Sequence, residues 1–194
     1  MSLWKLLTAR WGSGAGETDE VRIDSSTNSL QTIEYEHHEI HSGSHFEYTE
    51  YDADLDDTNT IDILITVPNT TLWPHLVFSV DGALQTLVQL FETCTHTAGA
   101  AKTAYNNNRN SATANTTLLN ASNDDAADGN AILQSMFGVS TGSGINSIVS
   151  GGGSRGDNEH VLKQNTKYLL RVTSYADNNV VSVKLSWYEH TDKN

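Results

Sequence analysis

The segment from Glu159 to Glu189 constrains the fold of this chain more than any other. Apolar and polar residues alternate from Val181 to Trp187, and upstream Tyr168, Leu170 and Val172 recur at every second position. A period of two places one face of a strand in a core and the other face in water. The turn-forming run Ala176-Asp177-Asn178-Asn179 separates the two stretches. We therefore predict two strands, joined as a hairpin, at the end of a β domain.

The same β pattern recurs upstream. Residues 59–67 place apolar side chains on one face, and residues 76–80 repeat the alternation before Asp81-Gly82, a hairpin turn signal. Residues 84–91 are apolar on both faces, which predicts a strand that is covered on both sides. Short strands between polar turns predict an all-β fold, an antiparallel, jelly-roll-like β-sandwich. Further strands are expected near residues 30–40, 45–51, 115–119 and 131–136.

Two stretches of low complexity are predicted to be long polar surface loops. Residues 98–128 are rich in Ala, Asn, Thr and Ser, and residues 140–156 are rich in Gly and Ser. Long loops on a compact domain usually carry function or become ordered against a partner. We therefore expect binding residues in these two segments.

Residues 1–16 are predicted to form an N-terminal arm, and residues 17–194 a single β domain. Residues 3–11 have the spacing of a short amphipathic helix, and the Gly-rich run 12–16 ends it. An apolar arm either binds a partner or packs on its own domain. Its large apolar side chains at helical spacing are Leu3, Trp4, Leu7 and Trp11.

The charge of the chain limits its partners. Asp and Glu number 24 against 11 Lys and Arg, which gives a formal net charge of −13. Phosphate groups are bound by Lys and Arg, so we expect neither nucleic acid nor an anionic membrane as a partner. Acidic residues crowd between positions 17 and 62, where Arg22 is the single Lys or Arg. That segment is either a solvated face or a patch for a basic partner or cations.

Cys94 is the single cysteine, so no disulfide can form within the chain. This suits synthesis in a reducing cytosol. No run of residues is apolar enough for a transmembrane helix. The opening residues MSLWKLLTARW are too short and too charged for a signal peptide.

Two clusters of potential metal ligands occur, but we predict no metal and no cofactor. His37, His41 and His45 recur every four residues, but on the strand expected there His37 and His41 share a face with Glu39 between them, and Gly43 interrupts the strand. Residues 52–57 are rich in Asp but lack the Gly and the Glu that a calcium loop requires. We interpret both clusters as exposed strand and turn positions, with an irregular metal site as the alternative.

No catalytic motif stands out, and we predict that the chain is not an enzyme. Neither G-x-S-x-G nor H-E-x-x-H occurs. Cys94 lies two residues before His96, which allows a nucleophile–base pair. A packed thiol at the end of a buried strand is the favoured interpretation.

An ordered series of segments characterises residues 30–190. In chain order they read EIHSGSHF from residue 39, YNNNRNS from 105, GGSR from 152, LKQNTKYLLRVT from 162 and SWYE from 186. This order resembles that of small virion structural proteins of tailed bacteriophages, of the head decoration or cement type.

The resemblance implies a physical rather than a chemical role. Proteins of this type form homotrimers, sit where capsid subunits meet on the outside of the head, and brace the shell. It implies the major capsid protein and further copies of the chain as partners, synthesis in the host cytoplasm and a place on the virion exterior. In such a protein the arm would anchor to the capsid. The few cations in otherwise neutral loops, Arg109 and Arg155, are candidate contacts between subunits.

The alternative is a β-sandwich binding module of a phage tail or fibre that recognises host glycans. Exposed aromatic side chains along a groove would favour this function. The candidates are Tyr35, Tyr48, Tyr51 and Trp73.

Overall fold

The computed structural model consists mostly of antiparallel strands in two sheets. It describes residues 35–123, 126–138, 149–152 and 158–191. The chain divides into two compact units, residues 1–38 and 39–194. The predicted arm, residues 1–16, lies outside the described residues. One short helix, α1 (Tyr35–Ser42), precedes the first described strand. No helix in the described ranges is long and apolar enough to span a membrane.

Each sheet has six described strands. Sheet I contains β1 (His45–Leu55), β3 (Leu72–Gly82), β6 (Tyr105–Asn106), β9 (Val149–Gly152), β10 (His160–Val161) and β12 (Asn179–Thr191). Sheet II contains β2 (Thr60–Val67), β4 (Thr86–Glu92), β5 (Ala98–Lys102), β7 (Leu118–Ser122), β8 (Asn130–Phe137) and β11 (Thr166–Ser174). The strand order is β10-β3-β12-β1-β6 in sheet I, with β9 also on β3, and β5-β7-β2-β11-β4-β8 in sheet II. The predicted all-β, antiparallel sandwich is confirmed.

The core lies between the inner faces of the two sheets. Val181, Val183 and Leu185 of β12 are fully buried, and Trp187 is 1% exposed, as the alternation in the sequence predicted. They pack in one cluster with Tyr168, Leu170 and Val172 of β11. Burying one such large apolar side chain contributes about 1.5–3 kcal/mol to folding. The two C-terminal strands therefore stabilise the core from opposite sides.

The predicted hairpin between these strands is wrong. β11 pairs with β2 and β4 in sheet II, whereas β12 pairs with β1 and β3 in sheet I. The chain thus crosses from one sheet to the other at the turn around Asp177. Asp81-Gly82 likewise ends β3 without forming a hairpin, because β4 belongs to sheet II. Two strands that are neighbours in one sheet point their apolar side chains to the same side, whereas two strands in facing sheets bury their apolar side chains against each other. The sequence alternates apolar and polar residues in both arrangements, so alternation alone cannot distinguish them.

The strand expected near residues 30–40 is also wrong over its last part, since residues 35–42 form α1. Gly43, at a φ of 79°, ends the helix. Its N–H donates to the carbonyl of Ile40, and the N–H of Ser44 donates to the carbonyl of Glu39. These two bonds form a Schellman motif, which favours glycine at this position. The signal for a helix end was therefore present at Gly43, within a segment too polar to show a helical period.

The first predicted long loop is partly ordered into strands. Residues 98–128 contain β5, β6 and β7, of which β5 and β7 pair with each other. The second predicted loop contains β9, while residues 139–148 and 153–157 lie outside the described part of the chain. Both segments therefore contribute short strands to the two sheets.

Candidate functional site

Of the predicted contact residues, Arg109 is the one that lies within the described part of the chain. It is exposed on the Asn–Arg loop, which we define as residues 105–111. Arg155 lies outside the described residues, as do the predicted arm residues Leu3, Trp4, Leu7 and Trp11.

Asn106 builds the base of the Asn–Arg loop. Its amide nitrogen donates to the carbonyl of Gly43 at 2.7 Å and to that of Thr113 at 3.1 Å. Its amide oxygen accepts from the backbone N–H of Asn108 at 2.9 Å. A single side chain thus bonds to backbone groups within the loop, just after it and in the turn that follows α1.

Further bonds fasten the loop to the turn between α1 and β1. The side-chain amide of Asn108 donates to the carbonyl of His41 at 3.0 Å, and the N–H of Asn107 donates to the carbonyl of His45 at 2.9 Å. A Cβ at Gly43 would overlap the side chain of Ser111. The Asn–Arg loop is therefore preorganised by close packing and hydrogen bonds, although its sequence has almost no apolar residues.

This loop presents Arg109, which has no carboxylate partner among the described residues. Its guanidinium lies 5.4 Å from the ring centroid of Tyr105, and Nη1 donates to the carbonyl of Asn106 at 3.4 Å. None of the ion pairs among the described residues includes Arg109. The other described cations are engaged: Lys102 with Glu50, Lys163 with Glu92, Arg171 with Asp62 and Asp128, Lys184 with Glu47, and Lys167 with the carbonyl of His96.

A cleft of about 450 Å³ lies beside Arg109. We call it the Tyr105 cleft, because Tyr105 is 60% exposed there. The remaining lining residues are Ile40, Glu47, Thr49, Asn106, Asn107 and Arg109. The cleft combines an exposed aromatic ring with a cation, a carboxylate, a hydroxyl and two amides, so it can bind a polar group through several directed hydrogen bonds.

A second polar group, the His96 cluster, lies at sheet II and comprises Asp62, His96, Ser122, Asp128 and Arg171. The ring of His96 is fully buried, with Nδ1 2.6 Å from the Ser122 hydroxyl and Nε2 2.8 Å from Asp128. Asp128 also accepts from Arg171 at 2.7 Å, and Arg171 pairs with Asp62 at 2.8 Å. The bonds to Asp62 hold the pKa of Arg171 above its ordinary value.

We interpret the His96 cluster as structural, although Ser, His and Asp meet in it. Asp128 is bound by Arg171, which stabilises its charge and weakens it as a support for a catalytic base. Cys94, the nucleophile considered from the sequence, is buried, and burial raises the pKa of its thiol. Both ring nitrogens of His96 already have other partners. The cluster fixes the segments around His96 and Asp128 on sheet II.

Glu189, in the SWYE segment, has an equally structural role. Its carboxylate is 4% exposed and accepts from the N–H groups of Thr116 and Thr117, each at 2.8 Å. It also accepts from the Thr116 hydroxyl and from the indole N–H of Trp187. A buried carboxylate with this many donors is well compensated. It anchors the chain between the Asn–Arg loop and β7.

The predicted ligand clusters do not assemble a metal site among the described residues. His37 and His41 lie on α1 rather than on a strand, and the Asp residues of 52–57 lie at the end of β1 and in the turn after it. No group of three or more His, Cys, Asp or Glu in the described ranges could hold a metal ion. Sequence reasoning missed a different pair, His75 and His190, whose Nε2 atoms are 2.8 Å apart across β3 and β12.

The aromatic residues proposed for glycan binding are dispersed. Tyr51 is 73% exposed on β1, whereas Tyr48 packs against the core and donates to Glu50 at 2.9 Å. Trp73 is half-buried on β3, and the side chain of Tyr35 is not described. Tyr105, which the sequence did not single out for this role, is the aromatic residue that lines the cleft.

Comparisons with protein-family models, with curated proteins and with solved structures found no match to this chain.

Proposed function

We propose that this protein is a phage capsid decoration protein that binds the outer surface of the head at subunit junctions and stabilises the shell. Its partners are the major capsid protein and further copies of itself as a homotrimer. The order of sequence segments described above, which resembles that of decoration proteins, is the starting point. The mechanism is binding to the assembled shell but not to its separated parts, which stabilises the shell by mass action.

The observation that carries the proposal is the isolation of Arg109. The chain has a formal net charge of −13, yet this exposed guanidinium has no carboxylate partner within the described residues. Its guanidinium lies over the Tyr105 ring, and the N–H groups that do not donate to Asn106 can donate to an external acceptor. Arg is also favoured at the energetic centres of protein interfaces.

The rigidity of the loop supports the same function. A preorganised loop loses little conformational entropy when it docks, so more of the interaction energy appears as affinity. The bonds from Asn106 and Asn108 to Gly43 and His41 supply that rigidity. The two-sheet sandwich provides a stiff support for the loop on a shell under internal pressure.

The experiment is loading of purified protein onto expanded, emptied capsids. Arg109→Ala should reduce loading at least tenfold, and Lys163→Ala, which removes an exposed cation elsewhere, should load like wild type. Deleting residues 2–16 should also abolish loading, because the arm is the proposed anchor. If Arg109→Ala and the arm deletion loaded as well as the wild type, neither Arg109 nor the arm would contact the capsid. If the wild type itself did not load, the proposed decoration function would be refuted.

A second candidate function, glycan recognition by a tail or fibre module, is favoured by the Tyr105 cleft. The exposed ring of Tyr105 can stack on a sugar while Glu47, Thr49 and the amides bond to its hydroxyl groups. Binding of wild type on a glycan array, lost in Tyr105→Ala and kept in Tyr175→Ala, would establish this function. Tyr175 is the matched control because it is 42% exposed and does not line the cleft.

A further inference from the structure

The two sheets differ in how their edges end. Among the described strands, sheet I ends in β6 on one side and in β9 and β10, which both pair with β3, on the other; these strands have two, four and two residues. Sheet II ends in β5, which has five residues, and β8, which has eight. A strand at an edge has unpaired N–H and C=O groups that can pair with another chain, and short edge strands limit this. Sheet II therefore has the two edges most able to accept a further strand.

The outer edge of β8 lacks the usual protection. Its sequence NAILQSMF contains no charged residue and no proline, which are the residues that commonly block edge pairing. Ile132 is 44% exposed and Met136 is 53% exposed. Within the described ranges β8 pairs with β4 alone. On the side away from β4, this strand has backbone groups without a strand partner among the described residues, beside exposed apolar side chains.

β5, at the other end of sheet II, has complementary properties. Its residues Ala98, Gly99, Ala100 and Ala101 are small and partly or fully exposed. Small side chains leave space for the larger Ile132 and Met136 of a neighbouring strand. Lys102 is the single charge in either edge strand, and it already pairs with Glu50. Joining these edges would bury no carboxylate, an advantage for copies that each carry a net charge of −13.

The strand directions in sheet II also allow β8 of one copy to pair with β5 of another. Each neighbouring pair in sheet II is antiparallel, from β5 through β7, β2, β11 and β4 to β8. Five reversals leave β5 and β8 running in opposite directions. A second copy, rotated about an axis along the strands, would present its β5 antiparallel to β8 of the first copy.

We propose that copies of this chain associate through β8 of one copy and β5 of the next, so that sheet II continues from copy to copy. This contact is head-to-tail, so it forms a ring when the rotation closes. The number of copies, three, rests on the proposed function. The contact itself rests on the two edges.

Engineered cysteines test this pairing. Ala101 pairs with Asn120 and Gln134 pairs with Gln89, which places both residues on the outer face of sheet II. A mixture of Ala101→Cys protein and Gln134→Cys protein should form a disulfide-linked pair under mild oxidation, and neither variant should link to itself. The double variant should form a covalent ring with threefold the mass of the chain. Native Cys94 is 5% exposed and does not compete.

Three results would overturn the proposal. Self-linking of Gln134→Cys alone would indicate a two-fold contact between two β8 strands. Absence of any link in the mixture, both in solution and on capsids, would show that these edges do not meet. Val180→Cys is the control, since Val180 is 50% exposed on β12 of sheet I. If only this variant formed disulfide-linked copies, the contact would lie on sheet I.

A charge variant gives independent support. Ile132→Lys with Met136→Lys should convert the oligomer to a monomer, whereas Val180→Lys should leave it intact. Circular dichroism would verify that each variant remains folded, and a folded double variant that stays oligomeric would contradict the proposal. Capsid loading without any cross-link would refute this contact alone, whereas cross-linking without capsid loading would refute the proposed function alone.

Discussion

The Asn–Arg loop and the His96 cluster are both polar assemblies, but they use their charges in opposite ways. In the His96 cluster a fully buried ring and the Arg171 guanidinium each meet a carboxylate. In the Asn–Arg loop the amide side chains bond to backbone groups, while the exposed Arg109 meets no carboxylate among the described residues. One assembly uses its charges to hold the fold, and the other leaves its charge available to a partner.

The difference indicates which residues can change without unfolding the protein. Removing one member of the partly buried His96 cluster deprives the buried His96 ring, Arg171 or both of hydrogen bonds, which costs stability. An exposed cation contributes little to folding, since water solvates it equally well before and after folding. The Arg109 side chain is therefore available for binding at little cost in stability.

The largest effect is expected in the His96 cluster. Asp128→Ala removes the acceptor of both His96 and Arg171, so the free energy of unfolding should fall by about 2–4 kcal/mol. Urea denaturation would measure the change. Asp54→Ala removes an exposed carboxylate on β1 and should change stability by less than about 0.5 kcal/mol. Equal effects of the two substitutions would contradict the structural role of the cluster.

The base of the Asn–Arg loop should show the next largest effect. Asn106→Asp replaces a donor amide by an acceptor oxygen that faces the carbonyls of Gly43 and Thr113. We expect a loss of about 1–2 kcal/mol together with reduced capsid loading. Asn110→Asp adds the same charge at an exposed position of the same loop and should be nearly neutral. The melting temperatures of both variants would be measured. A decrease in Asn106→Asp alone would show that the loss comes from the misplaced acceptor oxygen, whereas equal decreases would show that it comes from the added charge.

The pH dependence of stability should involve His160, which stacks on Phe78. Burial lowers the pKa of His160 below its ordinary value. The unfolded chain therefore binds a proton more readily, and stability is lost as the pH falls from the ordinary pKa, about 6.5, through the folded value. His160→Phe keeps a ring on Phe78 and should make stability less dependent on pH between 7 and 5. An unchanged pH profile would exclude this contribution.

The smallest effect on stability is expected at Arg109. Arg109→Ala should change the free energy of unfolding by less than about 0.5 kcal/mol, in contrast to Arg171→Ala, which breaks two ion pairs. Chemical denaturation of the two variants side by side would test the comparison. A large loss of stability in Arg109→Ala would mean that the loop depends on its cation.

Local periodicity predicted strands better than it predicted their connections. The alternation from Val181 to Trp187 reports which side chains are buried, and that was confirmed. It carries no information on whether β12 neighbours β11 or faces it, because that depends on pairing with β1 and β3, which are distant in sequence. α1 was missed since its residues are mostly polar on all sides.

The candidate site was predictable only in part. Arg109 could be noticed as a rare cation in a neutral loop. The role of Asn106 depends on Gly43, and that of Asn108 depends on His41, contacts that span more than sixty residues. The partners of His96, Ser122 and Asp128, lie 26 and 32 residues away from it in sequence. Spacing along the chain cannot reveal such contacts, because they exist only once both sheets have formed.

Capsid stabilisation tests the central claim most directly. Purified protein would be added to expanded, emptied capsids, and the disruption temperature of the shell would be measured as a function of protein concentration. The proposed function predicts a rise that saturates when all junctions are occupied and that Arg109→Ala shifts to at least tenfold higher concentration. A disruption temperature that does not change at any concentration of wild-type protein would contradict the account.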